Sequence, residues 1–230
     1  MEFDEWEPVY EAILADFGYP RAADERARDV LADLVEPFDL DRVPVDGTVA
    51  IAGAGPSLDA ELSVAADADR VFAASTAADR LLAAGVGVDL QVTDLDKSPD
   101  VTVELSRAQI PVAVHAHGDN LPAVREVVPE CDCRQVLGTT QARPVESVYN
   151  FGGFTDGDRA AFLADHLGAG TLVFVGWEFA DPDLGPEKRR KLGWARRLLY
   201  WLERRRGDRF GVLDGWRDDV DVGALPVEVN

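Results

Sequence analysis

The sequence is poor in cysteine and has no long apolar run, and each shortage excludes a class of protein. Only two cysteines occur among the 230 residues, Cys131 and Cys133, and they stand one residue apart. This spacing makes a poor disulfide, and two cysteines are too few for a structural zinc site without several histidine partners. No apolar run approaches the roughly 20 residues that span a bilayer, and the acidic N-terminus lacks the pattern of a signal peptide. We therefore expect a cytoplasmic protein with unpaired thiols and no membrane partner.

Positive charge is scarce as well. The chain has 43 Asp and Glu residues against 23 Lys and Arg residues, a formal net charge of −20, and lysine occurs only at positions 97, 188 and 191. An acidic, lysine-poor surface is typical of a cytosol with molar salt, because screening removes the self-repulsion there. This interpretation predicts a halophilic source and explains most acidic residues without a functional role. The charge also argues against a nucleic-acid partner, which would require a basic footprint.

Apolar residues are plentiful, at 47% of the chain, which supports a packed core and argues against disorder. Two helices are predicted over about residues 4–36, because apolar side chains recur at helical spacing on either side of Gly18-Tyr19-Pro20. The length allows one substantial domain with an appendage. We predict a helical N-terminal cap over residues 1–46 and a catalytic α/β domain over residues 47–230.

Beyond residue 47 short apolar runs alternate with helical patterns. The alternation predicts an α/β fold with a doubly wound, mostly parallel sheet, helices on both faces and the helical cap at the N-terminus. The predicted strands cover residues 48–52, 71–74, 90–93, 111–115, 134–137 and 171–176, and the predicted helices cover residues 77–84, 101–108, 156–167 and 186–205.

Two aspartates, Asp94 and Asp96, follow the third predicted strand. Ligands bind at the carboxyl edge of open α/β sheets, and paired carboxylates there suit a magnesium ion. Lys97 beside them could meet a phosphate oxygen or merely neutralise the pair. A solvated loop in a very acidic protein stays open as the alternative.

A glycine loop, Gly53-Ala54-Gly55-Pro56-Ser57-Leu58, follows the first predicted strand. Glycines let the backbone approach a ligand closely, and the start of a following helix, which Ser57 could cap, presents free N–H groups to an anion. The loop lacks the full dinucleotide fingerprint. A tight strand–helix turn accounts for it equally well.

The segment His115-Ala116-His117-Gly118-Asp119-Asn120 follows the fourth predicted strand and holds two of the three histidines. Two nitrogens alone do not make a zinc site, so the histidines could equally bond phosphate or substrate. Asp119 could add a third carboxylate for magnesium or orient a substrate amine. A purely structural turn is the alternative.

The fourth loop, residues 150–159, leads into a predicted helix. Thr155 is a good N-cap, with Asp158 in the capping-box position. Neither assignment explains Asp156 at the mouth of the helix. Phe151 and Phe154 could flank a flat heterocycle or simply pack in the core.

Basic residues are concentrated in and just after the last long helix, with ten of them between positions 188 and 209. Lys188 and Lys191 are three residues apart and share a helix face. A positive patch that faces the acidic loops would suit a polyphosphate. Pairing with acidic neighbours is the alternative, and it suits Arg204 to Arg206 better than the lysines.

Taken together, residues 52–58, 93–96, 115–120 and 153–160 resemble the archaeal 6-hydroxymethyl-7,8-dihydropterin pyrophosphokinases, whose core is similar to the catalytic domain of thiamine pyrophosphokinases. The resemblance covers about residues 48–202. The third and fourth segments are specific to the family, whereas related archaeal and bacterial proteins share the glycine loop. Lys97 departs from the family pattern, in which a smaller residue such as glycine is expected.

The resemblance implies a magnesium-dependent transfer of pyrophosphate from ATP to the hydroxymethyl group of a reduced pterin, with AMP leaving and the product entering folate or methanopterin synthesis. Mg²⁺ would be the cofactor, and ATP and the pterin the partners. The implied roles are catalysis for Asp94, Asp96 and Asp119, metal binding for Asp94 and Asp96, ATP binding for Gly53, Gly55, Ser57, Lys188 and Lys191, and pterin binding for His117, Asn120, Phe154, Thr155 and Asp156.

Three other functions stay open at this point. Thiamine pyrophosphokinase shares the fold and the reaction and differs in the acceptor. A nucleotide-sugar transferase would use a similar glycine loop but usually needs a longer chain. A nucleotide-binding regulator without turnover would not need the full set of carboxylates. The oligomeric state stays open too, and a homo-oligomer is one of the alternatives.

Overall fold

The fold is built on one parallel sheet of seven strands, seen in a computed structural model that describes residues 1–43, 45–180 and 184–229. The strands are β1 (Thr48–Ala52), β2 (Arg70–Ala74), β3 (Leu90–Thr93), β4 (Val112–Ala116), β5 (Val136–Thr140), β6 (Val148–Tyr149) and β7 (Thr171–Val175). Their order in the sheet is β6-β5-β4-β3-β2-β1-β7, and each neighbouring pair is parallel. The predicted fold class is confirmed.

The helices are α1 (Phe3–Phe17), α2 (Arg21–Ala32), α3 (Leu62–Ala66), α4 (Ala77–Ala83), α5 (Pro99–Arg107), α6 (Leu121–Val127), α7 (Asp156–His166) and α8 (Pro186–Arg206). Both predicted helices of the cap are present, as α1 and α2. In the described part of the chain, no helix combines the length and the apolarity needed to cross a membrane. Cys131 is half-buried and Cys133 exposed, and both are free thiols.

Two parts of the secondary structure differ from the prediction. The fifth strand was expected over residues 134–137, but a 3-10 turn over Cys133–Gln135 precedes it, and β5 begins at Val136. Asp132 caps that turn by accepting a hydrogen bond from the backbone N–H of Arg134 at 3.1 Å. The two-residue strand β6 and the short helices α3 and α6 were not predicted, because none of them is long enough to show a clear period.

Alternate residues of each strand pack on opposite faces of the sheet. In β1, Val49 and Ile51 join a core cluster with α1, α7 and α8, whereas Ala50 and Ala52 join a second cluster with α2 to α6. All four side chains are fully buried. Strands covered on both faces read as continuous apolar runs, which is why they could be located in the sequence.

The chain changes direction within the sheet at β1. From β1 it adds β2 to β6 on one side, and β7 then returns to the other side of β1. In a doubly wound sheet such a switch point opens a crevice at the carboxyl ends of the strands. The loops after β1 and β7, with those after β2 to β5, therefore meet at one edge.

The two cap helices lie on opposite faces of the sheet. Trp6, Tyr10 and Ile13 of α1 are buried in the first cluster, and Ala27 and Leu31 of α2 are buried in the second. The turn between the helices consequently passes across the carboxyl edge of the sheet. This packing brings the cap to the same edge as the strand-end loops.

Candidate active site

A cavity of about 520 Å³ opens at the carboxyl edge of the sheet. Its walls come from the loops after β1, β2, β3, β4, β5 and β7, from the starts of α7 and α8, and from the turn between α1 and α2. All the predicted site residues except Ser57 and Asn120 line it, namely Gly53, Gly55, Asp94, Asp96, His117, Asp119, Phe154, Thr155, Asp156, Lys188 and Lys191.

The turn after β3 carries the two predicted metal ligands. Leu95, between Asp94 and Asp96, is buried and has a left-handed backbone, with φ of 65°, which is uncommon for a residue other than glycine. The hydroxyl of Thr93 accepts a hydrogen bond from the Leu95 N–H at 2.9 Å, and Asp94 Oδ1 accepts one from the Asp96 N–H at 3.2 Å. These bonds hold a tight turn from which both carboxylates line the cavity.

The two carboxylates have opposite electrostatic settings. Burial alone would raise the pKa of Asp94, but hydrogen bonds from His117 and Asp96 hold this pKa well below its usual range. His117 Nε2 lies 3.5 Å from Asp94 Oδ2. Burial and the neighbouring Asp94 raise the pKa of Asp96. Asp94 therefore carries its charge readily, whereas Asp96 is a second anion that gains from a cation.

A third carboxylate, Asp156, faces the same cavity from the first residue of α7. Its side chain is 11% exposed, and Arg159 Nη1 donates a hydrogen bond to its Oδ1 at 3.0 Å. Burial, followed by the charge of Asp94, raises the pKa of Asp156 to about 7, against the opposing effect of Arg159. The cavity thus concentrates negative charge that the protein compensates only in part.

A metal ion at this site would need ligands from outside the protein. Among the described residues, no three His, Cys, Asp or Glu side chains are grouped to hold a metal ion. Magnesium commonly binds to one or two carboxylates, with water and substrate phosphates completing the shell. Asp94 and Asp96 fit that mode of binding.

The glycine loop packs directly on the loop after β7. The N–H groups of Gly53 and Gly55 each donate at 2.8 Å, to the carbonyls of Val175 and Gly176 respectively. A Cβ at Gly53 or Gly55 would lie 2.7 or 2.5 Å from the Gly176 oxygen, closer than any side chain tolerates. The close packing of two backbones is therefore a sufficient reason for both glycines.

The prediction that Ser57 caps a helix at this loop is wrong. Pro56–Ala60 forms a 3-10 turn with Gly55 at its cap position, so Ser57 lies inside the turn. Its hydroxyl donates to Glu61 Oε2 at 3.2 Å, and Ser57 does not line the cavity. Ser57 therefore supports the loop from behind the cavity wall.

Arg80 of α4 was missed by the sequence reasoning. One of its terminal nitrogens donates to the carbonyls of Ala54 at 3.0 Å and Gly55 at 2.8 Å, and the other donates to Asp59 Oδ1 at 2.7 Å. Arg80 thus fixes the glycine loop from outside the cavity. No sequence signal singles it out, because the contact joins residues 25 and 26 positions apart.

The loop after β4 contributes His117 and Asp119 to the cavity. His115 is buried and its Nδ1 lies 3.1 Å from Thr139 Oγ1, and burial holds the pKa of His115 well below its usual value. The ring that faces the cavity is that of His117. The histidine pair therefore does not form a zinc site, and Asp119 is exposed on the cavity wall.

Asn120 corrects a further prediction, since it lies behind the cavity wall. Its Nδ2 donates to the carbonyls of Asp94 and His115, each at 2.7 Å, and its Oδ1 accepts from the His117 N–H at 3.0 Å. With both ends of the amide engaged by backbone, Asn120 ties the ends of β3 and β4 together. It positions Asp94 and His117 and does not line the cavity.

The capping box at the start of α7 is confirmed. Asp158 is buried, and its carboxylate accepts hydrogen bonds from the N–H groups of Phe154 at 2.5 Å and Thr155 at 3.0 Å. Phe154 lines the cavity, with its ring 5.2 Å from that of Phe17. Phe151 instead packs on Tyr149, with ring centroids 5.8 Å apart, so core packing accounts for it.

Positive charge reaches the cavity from α8 and from the β3 loop. Lys188, Lys191 and Lys97 line it, and Lys191 Nζ lies 3.4 Å from Glu187 Oε1. The arginines of α8 are mostly used elsewhere; Arg206, for example, pairs with Asp165 and Asp208 at 2.7 Å each. The lysines are thus the cations of this helix that line the cavity.

Comparisons with known proteins extend this picture. The family profile described as 6-hydroxymethylpterin diphosphokinase MptE-like matches residues 26–183. A 6-hydroxymethyl-7,8-dihydropterin pyrophosphokinase of Methanothermobacter thermautotrophicus is 41% identical over 227 residues, which cover 89% of this chain and 96% of the relative. The protein of the same name from Pyrococcus furiosus is 40% identical over 224 residues, with coverage of 88% and 95%. The one from Methanocaldococcus jannaschii is 31% identical over 234 residues, with coverage of 88% and 96%.

Proposed function

Since the chain belongs to the MptE-like family of 6-hydroxymethylpterin diphosphokinases, we propose that it transfers the pyrophosphate of ATP to 6-hydroxymethyl-7,8-dihydropterin in a magnesium-dependent reaction. Family membership confirms the resemblance drawn from the four loop segments. The reaction releases AMP, and its product enters folate or methanopterin synthesis. The observation that carries the proposal is one cavity in which the carboxylates of the strand-end loops lie together with the lysines of α8 and Lys97.

The acidic wall supplies the metal site. Asp94 and Asp96 would hold Mg²⁺ together with phosphate oxygens and water, and the bound ion would neutralise charge on the transferred group. His117 and Asn120 keep Asp94 in place, one through its carboxylate and the other through its carbonyl. Asp119, exposed on the same edge, is proposed to help activate the hydroxyl of the pterin as a proton acceptor.

The basic wall supplies positive charge on long, adaptable side chains. Lys188 and Lys191 reach the cavity from the first turns of α8, where they can meet the α- and β-phosphates of ATP. Attack at the β-phosphorus leaves charge on the departing AMP, and catalysis of such transfers relies on positioning and electrostatic stabilisation. Lys97, next to Asp96, is a third cation available to the same phosphates.

Gly53 and Gly55 are proposed to contact ATP through close packing of their backbone and not through hydrogen bonds. Their N–H groups already bond the loop after β7, so they do not donate to a phosphate. Without side chains, however, they leave room for the nucleotide to lie against the backbone. Arg80 supports this surface by holding the carbonyls of Ala54 and Gly55.

The start of α7 is proposed to hold the pterin. Asp156 can accept paired hydrogen bonds from the amino group and the adjacent ring N–H of a pterin. Phe154 gives an apolar surface for the flat ring, and Thr155 and His117 lie on the same rim. A largely buried carboxylate of raised pKa is the kind of group that gains from such donors.

The setting of the enzyme is also part of the proposal. We place it in a cytoplasm of high salt, because a net charge of −20 is tolerated where screening is strong. The division into a cap of residues 1–46 and a catalytic domain of residues 47–230 is retained as a proposal. Residues 44, 181–183 and 230 lie outside the described part.

One assay tests the function. The protein is incubated with Mg-ATP and either 6-hydroxymethyl-7,8-dihydropterin or thiamine, and the nucleotide products are separated. AMP with the pterin alone is the expected result. AMP with thiamine alone would make the protein a thiamine pyrophosphokinase, ADP would indicate an ordinary kinase, and no nucleotide product would indicate a binding protein.

A further inference from the structure

A buried carboxylate of the N-terminal cap lines the cavity. Asp24 of α2 is 3% exposed, and its Oδ2 accepts hydrogen bonds from the Tyr10 hydroxyl at 2.8 Å and from Gln141 Nε2 at 2.7 Å. Its Oδ1 accepts one from the Gly118 N–H at 2.8 Å. A buried charge is tolerated only when it is bonded in this way. Asp24 therefore joins both cap helices to the loops after β4 and β5.

The hydrogen bond from Gln141 to Asp24 is the first of a series of hydrogen bonds that leads to the proposed pterin site. Because Nε2 of Gln141 donates to Asp24, its Oε1 faces Arg159 and accepts from Nη2 at 3.4 Å. Arg159 Nη1 in turn donates to Asp156 at 3.0 Å. Each donor in this series points in a fixed direction, so the charge of Asp24 determines which way the amide of Gln141 is turned.

The bond to Gly118 is reinforced by close packing. A Cβ on Gly118 would lie 2.6 Å from the Cβ of Ala23, so the loop after β4 is seated directly on α2. His117 and Asp119, on either side of Gly118, both line the cavity. The position of α2 therefore sets the position of two predicted site residues.

We propose that Asp24 is a positioning residue of the active site, through which the N-terminal cap holds the loop of His117 and Asp119 and orients Arg159 against Asp156. The part in pterin binding rests on the proposed function, whereas the positioning of the loop and of Arg159 does not. It assigns the cap a part in binding the pterin, beyond covering the core.

The first variant is Asp24→Asn. The amide oxygen introduced by this substitution can still accept from Gly118, but the amide nitrogen presents N–H groups to Gln141. Gln141 must then turn its own amide, which places a donor against Arg159. A polar group left unsatisfied in a buried network has a large effect. We expect the KM for the pterin to rise about tenfold, while the KM for ATP changes less than twofold.

The second variant tests the direction of the bonds. In the double variant Asp24→Asn with Gln141→Glu, the new amide donates to the new carboxylate, whose other oxygen accepts from Arg159. The series of hydrogen bonds is then restored, with the negative charge moved from residue 24 to residue 141. We expect the KM for the pterin to return to within about threefold of wild type, a rescue that a merely structural role of Asp24 would not produce.

Leu31→Ala is the matched control. Leu31 is fully buried, lies on the same helix and packs away from the cavity, so its truncation loosens α2 without touching the hydrogen bonds. Assayed well below its melting temperature, this variant should keep the wild-type KM for the pterin. A KM raised as far as in Asp24→Asn would show that any loosening of α2 has the same effect, and would overturn the proposal.

If the KM for the pterin is as high in the double variant as in Asp24→Asn, the proposal is overturned as well. If the wild-type protein makes no AMP with the pterin, the proposed function fails, and the positioning role is then judged without substrate. Hydrogen exchange of the ligand-free protein serves for this purpose. The Gly118 amide should exchange at least tenfold faster in Asp24→Ala than in wild type, and an unchanged rate would contradict the proposal.

Discussion

The acidic and basic walls of the cavity are built in different ways. Asp94 and Asp156 are held by hydrogen bonds from neighbouring side chains, and the turn that carries Asp94 and Asp96 is fixed by its own backbone. Lys188 and Lys191, by contrast, extend from the exposed first turns of α8, where Lys191 pairs with Glu187 at the protein surface.

Under the proposed function, this difference separates two tasks. A site that must bind a metal ion needs oxygens in fixed places, and the energetic cost of bringing carboxylates together is met when the protein folds. A polyphosphate varies in conformation, and a lysine on a flexible stem can follow it as a point charge. We therefore expect substitution of Asp96 to act on turnover, substitution of the buried Asp156 to act on stability and pterin binding, and substitutions on the basic wall to act on ATP affinity.

The largest effect is expected for Asp96→Asn. The substitution removes one of two proposed metal ligands, so kcat should fall about 100- to 1,000-fold, while the thermal unfolding midpoint changes little. Asp100→Asn is the control, because Asp100 is exposed on α5 outside the cavity, and it should keep wild-type kcat. Near-wild-type turnover of Asp96→Asn in saturating magnesium would show that the metal assignment is wrong.

Asp156→Asn should separate stability from function on the same wall. The pKa of Asp156 is about 7 in the folded protein and about 3.9 in an unfolded chain. Between these values the folded state holds a proton that the unfolded state releases, so the stability this provides is complete below about pH 3.9 and falls progressively until the pH has risen through about 7. Above that pH the ionised group costs the folded state up to about 4 kcal/mol.

The free energy of unfolding of Asp156→Asn and wild type is therefore to be compared by urea denaturation at pH 5 and pH 8.5, without divalent ions. The stability of the variant relative to wild type should be clearly higher at pH 8.5 than at pH 5, and the variant should bind the pterin more weakly. A stability difference of the same size at both pH values would contradict the burial argument.

A smaller effect is expected on the basic wall. Lys188→Ala and Lys191→Ala should each raise the KM for ATP about fivefold to tenfold, since each loses one charge-assisted contact to phosphate, and kcat should fall less than in Asp96→Asn. Arg189→Ala, an exposed neighbour on α8 that does not line the cavity, is the control. An unchanged KM for ATP in both lysine variants would show that α8 is not part of the nucleotide site.

The smallest effect is expected for Arg80→Ala. Loss of its bonds to the carbonyls of Ala54 and Gly55 should loosen the glycine loop, raise the KM for ATP about threefold and lower the free energy of unfolding by about 1 kcal/mol. Arg107→Ala is the control, because Arg107 makes similar bonds to Glu130 outside the cavity. Equal changes in the KM for ATP of the two variants would show that Arg80 does not support the glycine loop as proposed.

The sequence was sufficient for the strands and for the convergence of their loops. Continuous apolar runs located six strands, most of which are buried on both faces, and parallel strands must bring their carboxyl ends to one edge. Asp94, His117 and Lys188 could therefore be grouped although they are far apart in the chain. The same reasoning did not locate β6, whose two residues carry too little pattern.

The sequence was not sufficient for the direction of side chains within loops or for contacts made at long range. Ser57 and Asn120 have suitable chemistry, but a 3-10 turn and bonds to backbone carbonyls direct them away from the cavity. Asp24 meets Gln141 across 117 positions, so its role depends on how α2 packs. No local pattern encodes such a contact.

The most direct test of pyrophosphate transfer is to trace the β-phosphorus of ATP into the products. ATP labelled with ³²P at the β-position is incubated with magnesium, 6-hydroxymethyl-7,8-dihydropterin and the protein, and the products are separated. We predict that all transferred label appears in the pterin diphosphate and that the AMP released is unlabelled. Label in ADP, with a pterin monophosphate as the other product, would contradict pyrophosphate transfer at this site.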